Sequence, residues 1–443
     1  MENSLDRKIT KGMLLRFSFP TILSMIFMSI YTTVDGVFVS RLVGTDALSA
    51  VNIVLPLITV AIALGTMIGT GGSAIVARKM GEGDACGARR DFSLLFYTAC
   101  ITAILFSAAG FLFLDPILKF FGADSELYAY CAEYAGATLL FLPFSVLAIL
   151  FQIFFVTAGK TMLSLLLSVC GGVCNIILDA VFIAVLHMGI RGAALATGIG
   201  YLLPSLVGIL YFSLKRNGTL YFVKPGFRIK TILNTFGNGS SEMVANLSMG
   251  VVTILLNNLL MRLCGADGVA SITIILYAQG IMTAAYIGYS LGIAPVVSYN
   301  YGKQDAARLK KIHRISLGII LIASAAVFAC SELFAGMLVA IFTAKDTPVY
   351  LMAVRGFRLF SFGFLFMGYN IYGSAVFTAF SNGKISAVLS FLRTLVFVVA
   401  SALLLPLALK TDGVWLSIPL AETLGFALTV FFLHRFRKTY GYA

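Results

Sequence analysis

"RLVGTDALSAVNIVLPL" starts at Arg41, and "RLCGADGVASITIILYA" starts at Arg262. The two stretches align without a gap at an offset of 221 residues. The register then persists: "MGEGDACGARR" meets "YGKQDAARLKK", so Gly81 falls on Gly302, Asp84 on Asp305 and Ala85 on Ala306. A later pair, "AGK" ending at Lys160 and "NGK" ending at Lys384, keeps the order. The chain therefore reads as two related halves, 1–225 and 226–443, joined by a basic linker containing Gly and Pro near 215–231.

Composition says what each half is made of. Of 443 residues, 59% are hydrophobic and 12% charged, against about half and a quarter in a soluble domain. Apolar runs long enough to cross a bilayer recur along nearly the whole length. Twelve are expected, at about 13–40, 50–78, 92–114, 128–157, 161–187, 191–213, 232–261, 269–299, 313–342, 349–380, 385–409 and 414–434. The short alternating segments of a β-barrel are absent from the pattern. The first run continues past a signal-peptide core without a clear cleavage site, so it reads as a retained span. The expected fold is all-α and polytopic. Six spans per half is an even number, so both halves enter the membrane in the same sense. Such parallel repeats are related by an axis along the membrane normal, with a cavity between them. Pro20, Pro56, Pro143, Pro204, Pro295 and Pro419 lie within spans and are candidate kinks.

The net charge of +13 would suggest nucleic acid in a soluble protein. Here it follows position instead. Even-numbered loops hold Arg78, Lys79, Arg89, Arg90, Lys215, Arg216, Lys224, Arg228, Lys230, Lys303, Arg308, Lys310, Lys311 and Arg314. Most loop acids, among them Asp115, Asp267, Glu332, Asp346 and Asp412, fall in odd-numbered loops. The positive-inside rule then puts both termini in the cytoplasm, and no nucleic-acid partner is needed.

Four acids lie inside spans: Asp35, Asp179, Glu242 and Glu422. A charge at the bilayer centre costs about 2.5–3.5 kcal/mol on insertion scales, so such groups face a cavity or a partner. Counting 1.5 Å per residue from the outer span ends puts Asp35 about 9 Å deep, Asp179 about 12 Å and Thr197 about 9 Å. Asn175, one turn before Asp179, shares its helix face. Two carboxylates, an amide and a hydroxyl are hard oxygen ligands that suit Na⁺ or can share protons. The second half has Leu256 at the position of Asp35 and apolar residues at that of "NIILD". Repeat symmetry therefore does not demand the cluster, which favours function over a structural tie between spans 1 and 5. Glu242 has Asn238 and Asn246 nearby as possible partners, and reads evenly as structural or functional. Arg393 and Glu422 both land near the midplane and read as a structural ion pair.

Other motifs carry less. "GTMIGTGGSAIVARK" has the glycines of a phosphate loop, but follows no strand and lacks Gly-Lys-Ser/Thr order. Small residues at that spacing in a span allow close helix packing. The seven Cys, including Cys170 and Cys174 of "CGGVC", lack zinc-type partners, and the three His are far apart. No metal site beyond a possible Na⁺ and no cofactor is expected.

Together the twelve spans in two parallel halves, "DGVFVSRLVGTDALSAVNIVLPL", "AGKTMLS", "NIILDAVFI", "RGAALAT" and "GVWLSIPLAE" resemble the multidrug and toxic compound extrusion (MATE) family of the MOP superfamily, in its bacterial DinF-like branch. The resemblance covers essentially the whole chain. It implies a V-shaped antiporter in the bacterial plasma membrane that exports small-molecule organic cations in exchange for H⁺ or Na⁺. It also implies cation coupling at Asp35, Asn175, Asp179 and Thr197, and helix bending at Pro20. Glu242 falls where another branch carries a second-half carboxylate, but "FMGYNIYGSAV" offers Tyr369 and Asn370 in place of that branch's span-10 acid. A monomer is expected. The alternatives are a flippase for lipid-linked sugars, whose anionic substrate calls for cavity bases of which Arg393 is the clear mid-span example, and an intramembrane aspartyl enzyme using Asp35 and Asp179.

Overall fold

The computed structural model describes residues 4–38, 43, 45–123, 125 and 127–442; the side chains at 33, 35–38, 45, 46 and 48 also lie outside the described residues. Within them the chain is helical, with no strand. In lipid every backbone N–H and C=O must be satisfied inside the segment, and the α-helix does this. The helices are α1 (Lys11–Phe38), α2 (Thr45–Gly81), α3 (Ala85–Leu112), the short α4 (Leu114–Phe120), α5 (Tyr128–Thr157), α6 (Thr161–Asp179), α7 (Gly189–Leu214), α8 (Ile229–Gly302), α9 (Ala306–Ala340), α10 (Pro348–Ser361), α11 (Phe364–Ala379), α12 (Gly383–Phe391), α13 (Phe397–Leu409) and α14 (Thr411–Tyr440). Span hydroxyls fold back on their own helix, as Ser18 Oγ does by donating to Leu14 O at 2.8 Å.

Ten of these helical stretches are long and apolar enough to cross a membrane. Helix α8 has 74 residues, about 111 Å if straight, which is far more than one crossing. It breaks at Gly265, where φ 66 and ψ −151 turn the chain between two membrane-length limbs. Helices α10 and α11 bend by 53° where they meet and together are long and apolar enough for one span. Counted this way, the described residues supply twelve crossings. The breaks in the helical backbone fall at Gly265, within the stretch 262–268 expected to join two spans, and at the Phe362–Gly363 junction, inside the expected span 349–380. Pro20, Pro56, Pro143, Pro204, Pro295 and Pro419 each lie inside a continuous helix.

The largest buried cluster is drawn from the first 220 residues, around Phe92, Phe151, Phe154 and Phe212. Others draw on residues from Val252 onward, joined by Leu5, Ile9 and Leu14 from the N-terminus. The seam between the two sets is built on small residues. A Cβ on Gly81 would strike Tyr299 O, and one on Gly302 would strike Arg78 O. Lower in α2, Gly71 meets Thr235 and Gly239 of the first limb of α8. Gly292, the repeat partner of Gly71, meets Ser18 of α1, the repeat partner of Gly239. The seam thus carries the two-fold relation of the repeat. Asp84 and Asp305, also equivalent, cap α3 and α9 by accepting from Gly87 N at 2.8 Å and Arg308 N at 3.0 Å.

This seam runs to the face that carries the termini and the basic loops. There a 3₁₀ turn, Ser4–Asp6, straps it. Leu5 is fully buried. Asp6 Oδ1 lies 2.7 Å from both Lys303 Nζ and Arg308 Nη1. The bonded Lys303 ammonium, with Arg308 adding to it, outweighs burial and holds the Asp6 carboxyl below the usual carboxylate range.

Candidate functional site

Helix α6 sets Asn175 and Asp179 one turn apart, 3% and 0% exposed. Helix α7 brings up Thr197, and Asn175 Nδ2 donates to Thr197 Oγ1 at 3.3 Å. The approach depends on two glycines. A Cβ on Gly171 would lie 2.8 Å from Gly200 O, and one on Gly200 would lie 3.0 Å from Gly171 O. Gly171 is one turn before Asn175, and Gly200 is three residues after Thr197, so their contact fixes the hydrogen bond above it. Gly172 does the same for α1: a Cβ there would meet Phe27 Cε1 at 2.5 Å and Tyr31 Cδ1 at 3.0 Å. Asp35 lies on α1 one turn beyond Tyr31; its side chain is outside the described residues.

Asn175 Oδ1 is buried with no hydrogen-bond partner among the described residues. A buried acceptor left unmade costs about 1–3 kcal/mol and asks for an explanation. Asn175, Thr197, Tyr31, Gln152, Gly171 and Gly172 border a cavity of about 40 Å³. Such a space admits a water or a small ion, not an organic ligand that needs several hundred Å³. Directly after Asp179 the helix widens into a π-segment, Ala180–Val185, a distortion frequent at functional sites.

The second half has its own polar centre. Asn370 Nδ2 donates to Glu422 Oε2 at 2.7 Å and to Glu422 O at 2.8 Å. Thr429 Oγ1 donates to Asn370 Oδ1 at 3.0 Å. Arg393 Nη1 lies 3.4 Å from Glu422 Oε1. Arg393 also sits in a π-segment, Leu392–Val396, in the span equivalent to the one that carries Asp179. Glu242 is half-buried, and Arg393 is the charge whose field reaches it. The amides expected to serve Glu242 do not. Asn238 Nδ2 donates to Thr378 O at 2.9 Å, and Asn246 Nδ2 donates to the backbone O of Glu242 at 2.7 Å. Among the described residues no cluster of three or more His, Cys, Asp or Glu could hold a metal ion.

Sequence reasoning missed Asn370 as the partner of Glu422, because the search at that position was for an acid. It also missed the glycines that close the first site. Their signal is the glycine pair of "CGGVC", Gly171 and Gly172.

Membrane-length helices in two sets, with acids, amides and an arginine buried inside the spans, define a polytopic transporter. The chain belongs to the MatE family, whose model matches residues 20–181 and again 242–403. It is similar to the multidrug export protein MepA of Staphylococcus haemolyticus, 26% identical over 98% of this chain and 95% of that protein. MepA of Staphylococcus aureus strain MRSA252 is 24% identical over 93% and 90%. A solved structure described as the outward-facing conformation of a multidrug resistance MATE family transporter of the MOP superfamily superposes with TM-score 0.93 at 24% identity, covering 100% of this chain and 99% of that one. Family membership makes the chain a membrane transporter and not an enzyme, which removes the aspartyl-enzyme alternative.

Proposed function

We propose that this chain exports organic cations and aromatic compounds across a bacterial plasma membrane, driven by entry of H⁺ or Na⁺ at Asp35, Asn175, Asp179 and Thr197. The observation that carries this reading is the Asn175 carbonyl, without a partner among the described residues, in a small cavity beside the helix face that carries Asp179. The names of the MepA relatives supply the multidrug class. The double match of the family model supports two halves, 1–225 and 226–443. The concentration of Lys and Arg on one face supports cytoplasmic termini. Site and seam both lie within one chain, which supports a monomer as the working unit.

Coupling runs through α1. Its first half, at Ser18 and Thr21–Ile22, packs on Gly292 and Gly288 of α8, and its second half, at Phe27 and Tyr31, packs on Gly172 of α6. Pro20 lies in the seam-facing half. An ion that changes how α1 sits on α6 therefore biases how α1 seals against α8. Two ligands that each prefer one arrangement of the same helix are coupled reciprocally. Glu242 would serve as a second-half carboxylate. The Arg393–Glu422 pair would be structural, which ties up the base that a flippase for anionic lipid-linked sugars would need.

The test uses purified protein in liposomes, with ethidium efflux followed under an imposed pH or Na⁺ gradient. Efflux should follow one gradient and be lost in Asp35→Asn and Asp179→Asn. Full gradient-driven efflux in both variants would reject the site.

A further inference from the structure

The linker between the halves ends in a cleft that none of the above uses. Its first part is pinned to α3: Leu220 is 1% exposed, Phe222 stacks on Phe92 at 5.2 Å, and Val223 N donates to Ser93 Oγ at 2.9 Å. Beyond Pro225 the chain leaves this support. A cleft of about 500 Å³ then opens, lined by Ile75 and Lys79 of α2, Asp91 of α3, and Phe227, Arg228 and Lys230 among the residues that start α8.

The charges in it do not balance. Lys79 is bonded to Asp91, which is 2% exposed, so the floor is a neutral pair. Arg228 and Lys230 on the wall are exposed, and neither has an ion-pair partner among the described residues. Residues 215–231 hold Lys215, Arg216, Lys224, Arg228 and Lys230 and no acid. The rim carries exposed apolar side chains, Phe227 at 80% and Ile229 at 58%, with Leu233 at 63% one turn beyond the lining. Ile229 and Leu233 share a helix face. The cleft sits where α2 ends and α3 and α8 begin, at one end of these membrane-length helices.

We propose that this cleft binds the headgroup of an anionic phospholipid. Arg228 and Lys230 hold the phosphate, and Phe227, Ile229 and Leu233 lie against the glycerol and upper acyl chains. The pattern of basic groups above exposed apolar side chains matches such a molecule, whereas a free phosphate leaves the rim unexplained. Basic pockets at the cytoplasmic ends of spans take headgroups of this kind. The inference does not rest on the coupling-ion reading, since that site is built on α1, α6 and α7 and shares no residue with this cleft.

The full-length protein is purified in detergent, and retained lipid is counted by native mass spectrometry while phosphatidylglycerol or phosphatidylcholine is titrated in. The parent should retain phosphatidylglycerol preferentially. With each basic side chain near the surface contributing about fivefold, Arg228→Gln/Lys230→Gln should weaken binding about 30-fold, equivalent to about 2 kcal/mol at 1.4 kcal/mol per tenfold. Arg228→Lys/Lys230→Arg should keep it, which separates lost charge from lost fold. Phe227→Ser should also weaken it. Equal retention of phosphatidylcholine would overturn the proposal. So would an equal loss in Lys310→Gln/Lys311→Gln, which tests diffuse surface charge. Displacement by millimolar inorganic phosphate, with no effect of Phe227→Ser, would replace the lipid by a free phosphate and overturn it too.

Discussion

Asn175 shows how much one side chain can hold. Its amide N–H donates to Thr197 and its carbonyl oxygen has no partner among the described residues. Asn175→Leu keeps the volume roughly but removes both, so packing survives while any ligand loses an oxygen. We expect ethidium efflux to drop at least tenfold with thermal stability unchanged or raised, because an orphaned acceptor has gone. A large fall in stability would assign Asn175 to the fold instead. Arg393 behaves oppositely. Its guanidinium and Glu422 are 13% and 9% exposed. Removing one partner of such a pair strands the other, at about 3–5 kcal/mol. Arg393→Met should therefore lower the melting temperature sharply, and Arg393→Met/Glu422→Gln should recover most of it. If the double variant is no better than the single, the two residues do not act as a pair. The meeting of Asn175 with Thr197 was legible because depth can be counted along a helix. Asn370 was not, because hydrogen bonding between spans depends on helix rotation, which the sequence does not record.

At the scale of the element, apolar length announced the spans and the turn between the two limbs of α8, while the bend inside the span 349–380 carried no proline to announce it. Proline removes one hydrogen bond that its neighbours in a bundle can make good, so α1, α2 and α5 pass through theirs. Glycine at positive φ reverses direction outright, as Gly265 does in α8. The repeat also hid a packing rule. Gly81 and Gly302 align in sequence because each is pressed against the other's helix at the seam. A methyl at either position must push backbone away, and overpacking of this kind costs about 1–3 kcal/mol. Gly302→Ala should thus shift the molecule away from the arrangement closed on the basic face by about 5- to 150-fold. Distances between spin labels on α3 and α9, near that face, would lengthen. Unchanged distances would show that the seam relaxes locally without opening.

At the scale of the whole molecule, closure on the basic face joins both halves to the N-terminus. The Ser4–Asp6 turn lies on residues that the repeat relates, since Lys303 follows Gly302 and Arg308 opens α9. No sequence pattern announces this strap: Asp6 precedes the first span, and its partners come about 300 residues later. The groups are about one-third exposed, so each pair contributes about 0.2–1 kcal/mol after screening. Its pH sign follows from the lowered Asp6 carboxyl. The strap is fully present above the ordinary carboxylate value of about 3.9. It weakens as pH falls through the lower value held in the folded state. At neutral pH it is therefore intact, and Asp6→Asn removes it at any pH. We expect Asp6→Asn to open the basic face more readily. That should raise reactivity of a cysteine placed at Ser298 toward a membrane-impermeant maleimide several-fold, with the excess over the parent shrinking in 1 M salt, where the Debye length is about 3 Å. Because Leu5 also anchors the turn by burial, Leu5→Ala should add to the effect. Equal labelling of parent and Asp6→Asn at low salt would mean that the glycine seam holds the face shut without its strap.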